Sequence, residues 1–76
     1  MTECRWLREF AENLDCLLYK AHMTQKDLAK EAGISEGSVS AYMHGTKMPT
    51  ARALVNMAFA LNCSLDELMD FGERIE

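Results

Sequence analysis

The chain has little loop-forming material: one proline and four glycines in 76 residues. It has no apolar run near the roughly 20 residues that cross a bilayer. Arg5, Arg8 and Glu9 break up the N-terminal apolar residues, so no secretory leader is expected there. Its three cysteines, Cys4, Cys16 and Cys63, are odd in number and widely spaced. That excludes a disulfide scaffold and zinc-ligand spacing, and it points to reduced thiols in a cytoplasmic protein. His22 and His44 stand far apart, and neither a nucleophile–base pairing nor a glycine-rich phosphate loop is visible. An enzyme, a cofactor and a metal are therefore not expected.

Positive charge is also scarce: eight Lys and Arg stand against twelve Asp and Glu, a net charge of −4. The shortage is uneven. Residues 53–76 carry only Arg74 against Asp66, Glu67, Asp70, Glu73 and Glu76, whereas residues 24–52 carry Lys26, Lys30, Lys47 and Arg52 against Asp27, Glu31 and Glu36. Only the middle segment can tolerate a polyanion, and the acidic tail would have to face away from it. Apolar residues make up 49% of the chain, enough for a small core. A domain of this size buries only ~60% of the surface its unfolded chain exposes. The whole chain reads as one domain.

The pattern is helical throughout. Leu7, Phe10, Ala11, Leu14, Leu17, Leu18 and Ala21 recur at three- and four-residue steps, predicting a helix from a Thr2 cap to about Ala21. Thr24 with Asp27 resembles a capping box opening a second helix, which carries Leu28, Ala29 and Ala32 and is closed by Gly33. Ser35 caps a third helix, about Glu36 to Met43 or His44, ended by Gly45. Thr50 caps a fourth with Ala53, Leu54, Met57, Ala58 and Leu61, and Asn62 can close it. Ser64 to Glu67 forms a capping box for a short fifth with Leu65, Leu68, Met69 and Phe71. No stretch alternates long enough for a strand, so the fold class is all-α. Cys16 and Cys63 lie within apolar patterns and are expected to be buried. Met43, Met57 and Met69 are likewise expected as core filler.

The turn between the second and third helices is the informative place. A small Ala29 allows the third helix to cross closely. Gly33 permits the positive φ of a tight turn, while Ile34 and Val39 plug the angle between the helices. A short Gly-containing turn between two steeply crossing helices is a helix-turn-helix unit, here about residues 24–44.

The stretch "MTQKDLAKEAGISEGSVSAYMHGTKMPT" resembles the Cro and repressor type of helix-turn-helix domain, and "ALVNMAFALNCSLDELM" extends the likeness. Thr24-Gln25, Ala29, Gly33, Val39-Ser40, Gly45 and Pro49 fall in register together. The resemblance implies a compact five-helix bundle of the lambda-repressor-like type that binds double-stranded DNA and regulates transcription, commonly as a dimer. It implies base-edge positions at Ser35, Glu36, Gly37, Ser38 and Ala41. It also implies phosphate contact by Gln25 and by the loop residues His44, Thr46 and Lys47. Lys26 and Arg52 add nearby positive charge.

Two positions depart from the family pattern. An internal Arg–Glu pair is replaced by Leu18 and Met43, which are predicted to touch in a repacked core, since an apolar replacement of a buried pair is often neutral or stabilising. The reading helix also lacks the Arg, Lys, Asn or Gln that discriminate purines. Glu36 can accept from cytosine N4 or simply complement the helix dipole. Affinity must then come from the backbone contacts and helix N-termini around that helix. Tyr42 is expected in the core rather than stacked on a base, and Lys30 in solvent.

The rival reading is a protein-interaction module that keeps the fold and has lost DNA. Exposed apolar residues at the C-terminal end, Met69, Phe71 and Ile75, suggest a homodimer through the fifth helix and tail. Trp6 is expected to be half-buried.

Overall fold

The computed structural model describes residues 2–69, with side-chain surroundings from residue 5 onward. Among them are five helices and no strand: α1 (Thr2–Ala21), α2 (Gln25–Ala32), α3 (Glu36–His44), α4 (Ala51–Leu61) and α5 (Leu65–Leu68). None is long and apolar enough to cross a membrane. Phe71 and Ile75 lie outside the described residues.

The helix starts follow from their caps. The hydroxyls of Thr24, Ser35, Thr50 and Ser64 each accept the backbone N–H three residues on. Thr24 and Ser64 form complete capping boxes with Asp27 and Glu67. Each such cap is worth about 1 kcal/mol.

The ends share a second device. After α1, α2, α3 and α4 a left-handed residue follows, at His22, Gly33, Gly45 and Asn62. The next residue's N–H then reaches back five positions: Met23 to Leu18, Ile34 to Ala29, Thr46 to Ala41 and Cys63 to Ala58. This is the Schellman closure, which satisfies the last carbonyls and turns the chain sharply. It lets four connections of very few residues fold the helices back on each other.

Each helix contributes to one core. Phe10 and Leu14 of α1, Leu28 of α2, Val39 of α3, Met57 of α4 and Leu68 of α5 have no exposed surface. Burying such a side chain stabilises by roughly 1.5–3 kcal/mol. Trp6, half-buried as expected, stacks on Phe10 with ring centroids 5.3 Å apart, and Phe10 meets Tyr42 edge-on at 6.5 Å. Asn13 holds the last short helix in place, its amide donating to the carbonyls of Glu67 (3.1 Å) and Leu68 (2.7 Å). Ala29 is buried on α2, which packs against both α3 and α4.

Leu18 is buried and Met43 is half-buried against the same cluster, so the two share one core rather than separate surfaces. Several expectations of burial need correction. Cys16 is exposed, because it sits two residues beyond Leu14 and so falls roughly 200° round the helix, off the inward stripe. Cys63 is only half-buried. Of the three methionines, only Met57 is fully buried; Met69 is exposed, as is Leu65, because α5 turns a single residue, Leu68, into the core.

Candidate nucleic-acid interface

The caps that start α2 and α3 leave free backbone donors at each helix N-terminus. In α3 the Ser35 hydroxyl accepts the Ser38 N–H at 3.0 Å, and the Glu36 and Gly37 N–H groups remain for an outside acceptor. In α2 the Thr24 hydroxyl accepts the Asp27 N–H at 3.1 Å, leaving those of Gln25 and Lys26. Helix N-termini of this kind favour anions through free N–H groups and the positive dipole end.

None of the candidate side chains is buried. Ser35, Glu36 and Gly37 are exposed, and Ser38 and Ala41 are half-buried. Gln25, Lys26, His44, Thr46, Lys47 and Arg52 are all exposed. The ridge of α3 is therefore open, while its other side carries Val39 and Tyr42 into the core.

Three of these residues converge. Lys47 lies beyond the turn at Gly45, yet its chain folds back so that Nζ donates to Ser38 Oγ at 3.0 Å. The same Nζ lies over the Tyr42 ring, 5.9 Å from its centroid. Ser35 Oγ also donates to Ser38 Oγ at 3.0 Å. The turn is braced by Thr46, whose hydroxyl donates to the Ala41 carbonyl at 3.2 Å, and Pro49 is buried beyond it. A helix without a single Lys or Arg thus carries an ammonium over its first turns, supplied from the following loop. Tyr42 is a core residue, as expected, and its ring is the floor beneath that ammonium.

A second group lines an open groove of about 410 Å³ between α1 and the α2–α3 unit: Arg8, Ala11, Glu12, Asp15, Gln25, Met43 and His44. His44 Nδ1 lies 2.7 Å from the Ser40 carbonyl. A carbonyl only accepts, so Nδ1 carries the proton of that bond. Gln25 and His44 thus stand at one groove rather than at two separate places. The contribution of α1 went unseen in the sequence, although residues 8, 11, 12 and 15 have the spacing of one helix face. Two carboxylates against one arginine keep this groove from being strongly basic, so a phosphate there would rely on amide and helix-end donors. Lys26 and Arg52 have no hydrogen bond or ion pair among the described residues, and nothing in the structure gathers them with the others.

The outer side of α4 is different in kind. Phe59 is 80% exposed and Val55 38%. They border a recess of about 260 Å³ completed by Ala58, Cys63, Ser64 and Leu65. Burial and the nearby Glu67 carboxylate raise the Cys63 thiol above its ordinary pKa, so this cysteine is a packing group rather than a ready nucleophile. No cluster of three or more His, Cys, Asp or Glu side chains that could hold a metal occurs among the described residues.

The geometry of α2, its turn and α3 matches a known class. A helix-turn-helix family model covers residues 15–68, and the chain belongs to that family. An uncharacterized HTH-type transcriptional regulator of Bacillus subtilis (strain 168), YqaE, is 33% identical over 60 residues, covering 79% of this chain and 52% of its own length. The chain thus spans about half the length of that relative. Among solved structures, the restriction-modification controller protein C.AhdI of Aeromonas hydrophila superimposes with a TM-score of 0.79 at 24% identity, over 82% of this chain and 94% of its own. That likeness establishes the fold.

Proposed function

We propose that this protein is a cytoplasmic, sequence-specific DNA-binding regulator of transcription, a single compact repressor-like domain that reads the major groove with α3. The carrying observation is the open Ser35–Ala41 ridge with the Lys47 ammonium drawn onto it. Ser35, Glu36, Gly37, Ser38 and Ala41 face base edges in this reading. Gln25, Lys26, His44, Thr46 and Arg52 serve the phosphates with the helix N-termini. Membership of the helix-turn-helix family supports the reading.

The same proposal includes a homodimer. One ridge of small side chains gives modest affinity, and joining two half-sites multiplies it. A two-fold contact needs a self-complementary patch. The α4 face has that form: a protruding Phe59 beside an apolar recess, so each copy can offer its ring to the other's recess. Exposed Leu65 and Met69 add apolar surface at the C-terminal end; Phe71 and Ile75, which the proposed contact also includes, lie outside the described residues.

Titration of duplex DNA at increasing salt tests the reading. Binding should weaken with a log–log slope of about −0.9 for each phosphate neutralised. No binding even at low salt would leave the fold as a protein-interaction module.

A further inference from the structure

We infer that Lys47 and Ser38 act together as a base-reading pair, selecting guanine in the major groove. The inference rests on the DNA-binding reading above and adds a specificity that the bare helix does not show.

A hydroxyl has one O–H to donate and two lone pairs to accept. Both acceptor positions of Ser38 Oγ are taken, one by Lys47 Nζ at 3.0 Å and one by the Ser35 hydroxyl at 3.0 Å. With Lys47 and the Ser35 hydroxyl both donating to it, Ser38 keeps its own O–H for a further acceptor. Lys47 gives one of its N–H bonds to Ser38 and has no acceptor of its own. The pair thus offers adjacent donors and no acceptor.

Base edges respond to that pattern unequally. Guanine presents two neighbouring acceptors, N7 and O6, to the major groove. Adenine sets an amino donor beside its N7, cytosine presents an amino donor, and thymine has one acceptor beside a methyl group. Two adjacent donors suit guanine and confront an unwanted donor on adenine or cytosine.

The pair is also held in advance. The Tyr42 ring lies beneath the Lys47 ammonium, the Ser35 cap fixes Ser38 at the third position of the helix, and Thr46 with buried Pro49 braces the loop. A freely moving phosphate clamp needs none of these supports. Preorganisation reduces the ordering cost on binding and so strengthens selection.

Selection of sites from a randomised duplex library by the full chain tests the pair. The wild-type sites should share one G·C pair in each half-site. Lys47→Ala and Ser38→Ala should each relax the preference at that same pair by roughly tenfold to a hundredfold, leaving other positions unchanged. Lys47→Gln should turn the preference there toward adenine, whose donor and acceptor a carboxamide matches. Uniform weakening of all sequences by Lys47→Ala, with the salt slope reduced by about one, would make Lys47 a phosphate contact and overturn the pair while DNA binding stood. Relaxation at two different base pairs would overturn it as well. A wild-type protein that binds no duplex at low salt fails earlier, at the DNA-binding reading itself.

Discussion

The ridge of α3 and the outer face of α4 are both open to solvent, and they are made of opposite materials. The ridge has Ser35, Glu36, Gly37, Ser38 and Ala41, none of them large, and its one cation arrives from outside the helix. The α4 face has Val55 and Phe59 beside Leu65, with no charged side chain lining its recess. A ridge of small side chains allows close approach to a rigid surface such as a base-pair edge. An exposed phenylalanine beside an apolar hollow is the kind of surface that protein contacts use. Both surfaces are fixed by the same core, since α3 and α4 each pack against α2 and against α1. What joins them in the proposed function is geometry: a two-fold contact at one sets the spacing of two copies of the other.

The largest expected effect comes from breaking the apolar side. Phe59→Asp places a charge where the ring is 80% exposed, so the fold should be untouched. The solution mass measured by light scattering should fall to that of a monomer. Affinity for a two-half-site duplex should drop by about a hundredfold or more as the second half-site ceases to help. An unchanged mass would show that the α4 face does not join two copies.

A smaller effect separates the two surfaces by their caps. Ser35 starts α3 and Ser64 starts α5 with the same bond to the third residue's N–H, 3.0 and 3.1 Å. Ser35→Ala and Ser64→Ala should each cost about 1 kcal/mol of stability in thermal unfolding. Only Ser35→Ala should also alter DNA binding beyond its loss of stability, because Ser35 additionally donates to Ser38. Equal effects of the two variants on binding, measured well below the melting temperature, would show that the α3 cap has no special standing.

The two surfaces also differ in how far they were legible. Caps are local chemistry, and Thr24, Ser35, Thr50 and Ser64 announced every helix start after the first. Gly33, Gly45 and Asn62 announced their ends; His22, at φ 58°, did not, because histidine has no strong claim to the left-handed region. The ridge could be named position by position because its register follows from those caps. The return of Lys47 to Ser38 could not, since it crosses nine residues and a turn. Asn13 reaching Leu68 spans still more of the chain. The α4 face was missed for another reason. Val55 and Phe59 are one helical turn apart, outside the inward set of residues 53, 54, 57, 58 and 61, so α4 is apolar on two sides. The outer apolar side of α4 stays exposed among the described residues, which is why the proposed dimer uses it. The expected contact of the tail rests on Met69, Phe71 and Ile75, of which only Met69 is among the described residues, where it is exposed.

The smallest expected change concerns Gly37, and here stability and binding should move in opposite directions. Glycine in a helix costs roughly 0.5–1 kcal/mol relative to alanine. Gly37 does not take the positive φ of Gly33 and Gly45. A methyl group added there would meet only Ser35 Oγ, at an easy 3.9 Å. Nothing in the fold therefore requires a glycine at this position, and Gly37→Ala should stabilise the protein by about 0.5 kcal/mol in denaturant unfolding. If DNA lies against the start of α3, the same methyl group holds the helix away and weakens the N–H contacts of its first turn. Binding should then fall several-fold although the protein is more stable. A variant that is more stable and binds equally well would show that Gly37 does not touch the duplex, and would move the contact surface toward Ser38, Ala41 and Lys47. That pairing of opposite signs distinguishes a surface shaped for a partner from one shaped by its own fold.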